Sequence, residues 1–547
     1  MYPTNNKHFG FISILAMGLL TACGGGGSST PANDTTSVSG FVFAAAVQGA
    51  TVTIDDCNGN QIGTVITTSS SGVYSVELPA EDITQNLCVS SAGGNFNDEA
   101  TNVSTLAGRL SAYIEADGSG ASRSVHLTPA STIIHDLILQ HGKSRTEAEN
   151  LFNNAFGYTS DITVAPDDAT NPVSADEVRL RAGLRAAAFS QMAMDIGLTA
   201  AQQFALFEAL ASDLADGTLD GDASGAVPVP GTAQFLPLDI SNRFSMAMLN
   251  FREGVNGNPG RDQSGLTNDQ IGKLPFAMMA LTDSYKVEYL PGMMNAMEGK
   301  SAFTLRVTDI NTDAAVTGLN ISLMPMMHMS AMMHSTPVAN VVDNNDGSYS
   351  AKVYYLMPSS MMNGMSMGYW ELKVMIGGMM GEKATFFPDV MMAMGDSVKG
   401  TLKGQNDLIA GMMMGMTENR NYYLFKESLT GMTGNHTFNL FIAAREDMMK
   451  YPAVDSTSTL SAGTAYELVV TTMSVEVSSD ASTWVAATDN GNGQWSAAGI
   501  TGLTNGSAGT LYVRLAVNGE QKTTDGLAPA GDGSNDYTMF TVTPGGM

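Results

Sequence analysis

A nine-residue phrase occurs twice in this chain. "DNNDGSYSA" (Asp343 to Ala351) returns as "DNGNGQWSA" (Asp489 to Ala497), with glycine, aromatic residue and Ser-Ala in register. Upstream, "GKSAFTLRV" (Gly299 to Val307) is answered by "GNHTFNLFI" (Gly434 to Ile442). Self-similarity of this kind marks one structural unit used twice. Its apolar and polar residues alternate with the period of half-buried strands. Two tandem β-sandwich modules are therefore predicted over 276–398 and 412–547, with Phe303 equivalent to Phe438 and Tyr349 to Trp495.

The duplication is also an internal control on composition. Of 38 methionines, 29 lie between Met278 and Met449, whereas the second copy beyond Met449 keeps only Met473, Met539 and Met547. Interiors of one architecture need similar packing, so the fold itself does not demand methionine, which orders at an entropic cost and specifies packing poorly. The densest run is "LMPMMHMSAMMHS" (Leu323 to Ser335), where the second copy reads "VVTTMSVEVSSDASTW". Read as one extended strand, it puts Met324, Met326, His328, Ser330, Met332 and His334 on one face. Pro325, Met327, Met329, Ala331 and Met333 fall on the other. Methionine on both faces is poor core patterning. Met361, Met362, Met365 and Met367 sit in a Gly/Ser/Asn stretch before the alternating Trp370, Leu372 and Val374. "GGMMGE", "VMMAMGD" and "AGMMMGMTEN" are likewise flanked by glycine and read as loops.

Thioethers are soft ligands that select Cu(I), with Ag(I) as its mimic. They need no deprotonation and cannot be lost to disulfide formation in an oxidising compartment. Imidazole from His328 or His334 would strengthen such a site, and Asp343 or Asp346 could offset the cation's charge. Two other readings stay open: an adaptable apolar surface on a cell-surface interaction or adhesion protein, and a sacrificial shield that consumes oxidant as methionine sulfoxide.

The first module resembles the YtkA-like (FixH-related) domain, an immunoglobulin-like envelope sandwich associated with copper. The matching elements are "FTLRVTDINTDAAVTGLNISL", then "MPMMHM", then "DGSYSAKVYYLMPSSMMNGMSMGYWELKV". The resemblance implies Met324, Met326 and His328 as first ligands, with Met365 or Met367 near Trp370 completing the set. The chain departs from it in having more methionine, less histidine and an expanded "MPSSMMNGMSMGYW" loop. The resemblance covers about a hundred residues and does not fix the ligands.

Lys7 and His8 precede an apolar run, Phe9 to Leu20, that is too short for a comfortable membrane span. "LTAC" resembles the lipobox of bacterial lipoproteins. That implies a signal peptide over 1–22, lipid on Cys23, and a Gly/Ser tether over 23–37. Gly24 resembles outer-membrane sorting, with the protein facing the periplasm or the cell surface. Cys57 and Cys88 are then an even pair in an oxidising compartment, and a disulfide is predicted, two buried thiols being the alternative.

Alternating runs over 38–125, such as "VQGATVTIDD" and "SSGVYSVELP", predict a further sandwich, which resembles transthyretin-like or carboxypeptidase-regulatory-like modules. Helical periodicity over 126–260 predicts a central α-helical domain, with Thr128 as an N-cap and Pro129 at the first helical position. His126, His135 and His141 there read as hydrogen-bonded or solvated, and "DLADGTLDGDASG" as a helix end and turn without EF-hand spacing. The fold class is thus multidomain, with β-sandwich modules flanking helices. Acidic residues outnumber basic ones 53 to 26, for a net charge of -27, which argues against a nucleic-acid partner. Phosphate-cradling loops, "H-E-x-x-H", "G-x-S-x-G" and a spare cysteine are all missing, so the expectation is a binding protein, not an enzyme. The partners expected are a membrane, through the lipid, and an envelope copper donor or acceptor.

Overall fold

The computed structural model describes residues 35–545, apart from Asn256, Met293 and residues 412–414. The signal peptide, Cys23, most of the tether and part of "AGMMMGMTEN" lie outside the described residues. The first strand, Thr35–Phe41, begins within the predicted 23–37 tether, because "TTSVSGF" alternates exposed and buried residues and pairs with Val73–Pro79. Two sheets follow. One has the order Val73–Pro79, Thr35–Phe41, Arg123–Ser124; the other runs Gln61–Thr67, Thr51–Asp55, Leu87–Ala92, Leu110–Ile114. Cys57 and Cys88 are joined as a disulfide, with Cα atoms 5.0 Å apart.

Five α-helices come next: α1 Pro129–Leu139, α2 Arg145–Phe156, α3 Glu177–Asp195, α4 Gln203–Leu214 and α5 Ile240–Glu253. Thr128 caps α1 in a reciprocal box with Ser131, and Pro129 occupies its first turn. The helices do not stand as a separate domain. One continuous core runs from Val38 and Leu110 in the sheets through Ile133, Phe152 and Phe189 to Phe244. The Ser111 amide donates to Thr132 Oγ1 at 2.9 Å, Arg109 pairs with the buried Asp136 at 2.6 Å, and Phe96 meets Phe204 edge-on. The physical reason is that α1, buried from Pro129 to Leu137, lies against the Leu110–Ile114 strand on one side and α4 on the other, which ties the helices to the sheet. His126 accepts from the Phe41 amide and His135 bonds Asp136, so both are structural. Among the described residues no helix is long and apolar enough to cross a membrane.

The two predicted copies share strand order and register. In the first, a sheet ordered Met279–Leu281, Tyr285–Pro291, Gly299–Asp309, Ser348–Tyr355, Val342–Asp343 faces one ordered Met333–His334, Ile321–His328, Tyr369–Ile376, Glu382–Phe386. In the second, Lys399–Ala410, Thr417–Met432, Asn435–Ala444, Gln494–Ile500 and Thr488–Asp489 face Val485–Ala486, Met473–Ser478, Gly509–Val517 and Glu520–Gln521. Phe303 pairs with Ala351 and Leu305 with Tyr349, just as Phe438 pairs with Ala497 and Leu440 with Trp495. The second module starts at Lys399, earlier than the predicted 412. Its first strand, "KGTLKGQNDLIA", carries glycines and a register shift between Lys403 and Leu408 that hide the alternation.

Candidate metal centre

The Met/His strand, Ile321–His328, turns back into Met333–His334, with Met327 opposite His334 and His328 opposite Met333. The turn breaks the parity that an uninterrupted strand would keep, and the two histidines end on opposite faces of the sheet. Their aromatic neighbours prove it. His328 stacks on Tyr369 at 4.6 Å and His334 meets Trp370 edge-on at 5.5 Å, and Tyr369 and Trp370 are successive strand residues. The single face expected for Met324, Met326, His328, Met332 and His334 is therefore corrected.

The outward face docks on the helical body. Met326 and His328 are both 7% exposed there, and His328 Nε2 lies 3.1 Å from Glu371 Oε2. Burial raises the Glu371 carboxyl, but the His328 hydrogen bond and the Lys373 ammonium at 2.9 Å outweigh it and hold it below the usual range. The Tyr369 hydroxyl reaches Glu253 of α5 at 3.4 Å, and Asn242 of α5 donates to the Thr385 carbonyl at 2.8 Å. His328 Nδ1 is buried without a hydrogen-bond partner. Met324 is exposed on the same face.

The inward face builds the sharper arrangement. His334 Nδ1 lies 2.7 Å from the Ser335 carbonyl, which can only accept, so Nδ1 carries the proton. Burial pulls the imidazole below its ordinary value, only partly offset by that carbonyl, so the ring is neutral at pH 7. Nε2 then presents a lone pair, and 3.2 Å away stands the Met357 thioether, Sδ. Two acceptors face each other with no proton between them. Metal–nitrogen and metal–sulfur bonds of about 2.0 and about 2.3 Å, the values for zinc, put two such donors about 3 to 3.5 Å apart. The Trp370 indole N–H donates to the Met357 carbonyl at 3.1 Å and fixes that residue. Met327, fully buried, is directly across from His334, and Met329 and Met367 pack against the same core. From the second copy, Met448 seats its carbonyl on the Ser335 amide at 2.8 Å.

The structure thus divides the twelve predicted ligands. His334 and Met327 fall inward, with Met329 and Met367 against the same core. Met324, Met326, His328 and, by register, Met333 fall outward. Met332, Met361, Met362 and Met365 are exposed in turns. The set Met324, Met326, His328 with Met367 is not brought together, since Met367 packs on the inner core. Met357 opens the "MPSSMMNGMSMGYW" loop but is not among the predicted ligands, because Pro358 and two serines set it apart from Met361 and Met362. Elsewhere among the described residues, the one convergence of three His, Cys, Asp or Glu ligand atoms is Asp55, Cys57 and Cys88, whose sulfurs are tied in the disulfide.

No known protein-family model matches the chain, and no curated protein matches it either.

Proposed function

We propose that this is a lipid-tethered protein of the bacterial outer membrane that binds Cu(I), buffering it or passing it to an envelope partner. The observation that carries the reading is the buried, neutral His334 Nε2 facing Met357 Sδ at 3.2 Å, beside Met327. Imidazole and thioether together suit a soft monovalent cation better than calcium or magnesium, which take oxygen. Methionines exposed on the turns, Met362 at 79% and Met380 at 98%, offer weaker all-sulfur sites that exchange metal with little reorganisation. The lipid anchor rests on the lipobox resemblance, and the copper reading gains from the YtkA-like resemblance of the same strands.

The test is an anaerobic Cu(I) titration of the full chain against a chromophoric chelator, beside His334→Val and Met357→Leu. One tight equivalent lost in both variants supports the proposal. Undiminished competition in both variants, or none in the parent, refutes it.

A further inference from the structure

On α3, Arg179 reaches the Ala165 carbonyl and Arg181 pairs with Glu177, but Arg185 has neither ion pair nor hydrogen bond among the described residues. Its guanidinium carbon lies over Tyr158, 4.1 Å from the ring centroid. It forms one wall of a 150 Å³ cavity whose other walls include Ala130, Pro166, Val178 and Ala182. Burial lowers Arg185 to about 10, which leaves it charged at neutral pH while stripped of much of its water. Asp161, at the rim, does not neutralise it: its carboxylate is turned onto the Thr163 amide and hydroxyl at 2.9 and 2.7 Å. A half-buried cation without a counter-charge is an incomplete pair, and its planar fork matches a carboxylate in two parallel hydrogen bonds.

We propose that this cavity binds a small organic carboxylate, its anionic end on Arg185 and its hydrocarbon against Ala130, Pro166, Val178 and Ala182. A cavity of about 150 Å³ holds roughly a benzene-sized group, so the ligand has about six heavy atoms. Thr128, Thr159, Ser160 and Asp161 also line the cavity, so its walls are mixed; the Asp161 carboxylate at the rim disfavours a multiply charged phosphate, and the guanidinium disfavours a neutral amide. The site is independent of the metal centre, since none of its walls comes from the repeated modules.

Calorimetric titration of the full chain with butyrate, butyramide and inorganic phosphate tests this. Butyrate should bind saturably at one site, and the other two should not. Arg185→Met should weaken butyrate by about tenfold or more, the loss of one bidentate pair. Ala182→Leu, which fills the cavity and leaves the Arg185 charge in place, should abolish binding while leaving the far-ultraviolet dichroism intact. Equal heats for butyrate and butyramide, phosphate binding that survives Ala182→Leu, or no saturable butyrate binding would each overturn the assignment.

Discussion

The two sandwich copies set the same row of three cross-strand neighbours in different chemistry. In the first copy the row is His334, Met327 and Trp370; in the second it is Val485, Val477 and Val513. Valine is the ordinary solution for such a strand position, and the second copy uses it at all three places, with Val477 and Val513 fully buried and Val485 partly so. The first copy therefore holds an imidazole and a thioether where packing asked for neither. A polar group kept in a core against an available apolar solution points to function, because its burial costs free energy that packing does not return.

The second copy keeps its own buried polar feature, of another kind. Arg420, fully buried, donates to Asp407 at 2.8 Å, to Ser461 and to the Tyr466 carbonyl; Tyr422 and Lys522 also reach Asp407, at 2.5 and 3.2 Å. Every partner is satisfied, and the network pins the Lys399–Ala410 strand to its sheet. Asp407→Ala should give the largest effect on the molecule, a loss of about 3–5 kcal/mol from stranding buried cations, read by denaturant unfolding. Cu(I) binding should survive it under native conditions, which separates a structural network from a ligand-directed one.

His334→Val, which copies the second module's solution, should do the reverse. Cu(I) affinity should fall by about a hundredfold or more, since removing even an outer-shell partner costs about 10- to 100-fold. Unfolding free energy should change by under about 1.5 kcal/mol, given a residue that the fold tolerates in the sister copy. A large loss of stability with unchanged Cu(I) affinity would mean that the histidine is a packing residue.

The pH dependence sharpens the same contrast. His334 titrates lower folded than unfolded, so below an unfolded value of about 6.5 the unfolded chain binds more protons. Its contribution is fully present above that pH and is lost as pH falls through the lowered folded value. Denaturation curves should therefore show a decline in wild-type stability below about pH 6.5 that is shallower in His334→Val.

The smallest effects belong to the surface. Leucine at Met362, Met379 and Met380, which are exposed at 79, 83 and 98%, should shift stability by no more than about 0.5 kcal/mol and leave the tight equivalent unchanged. Mass spectrometry after mild peroxide should find sulfoxide at these three long before the fully buried Met327.

The duplication was legible in the sequence because the residues that set register, Phe303 with Ala351 and Phe438 with Ala497, are those that recur. Glycine-flanked methionines are legible as turns for a similarly local reason: Gly377 and Gly378, which lead into the turn at Met379, both adopt positive φ. What failed was anything that depended on a turn or on a distant partner. Alternation could not be carried through the 328–333 hairpin, so the faces of His328 and His334 were merged. Gly400, Gly404 and the bulge before Leu408 concealed a strand whose stability comes from Arg420 and Lys522. Helical periodicity shows that α1 and α3 exist, but not that α1 would bury itself on the Leu110–Ile114 strand. Met357 became a candidate ligand only when Trp370 brought its backbone beneath His334.

X-ray absorption at the copper edge of the Cu(I)-loaded full chain tests the central claim most directly. The account predicts a mixed first shell, one imidazole nitrogen with two or three thioether sulfurs (roughly the donors beside His334), that loses its nitrogen in His334→Val and keeps it in His328→Asn. An all-sulfur shell, or a mixed shell indifferent to His334, would place the copper elsewhere and contradict it.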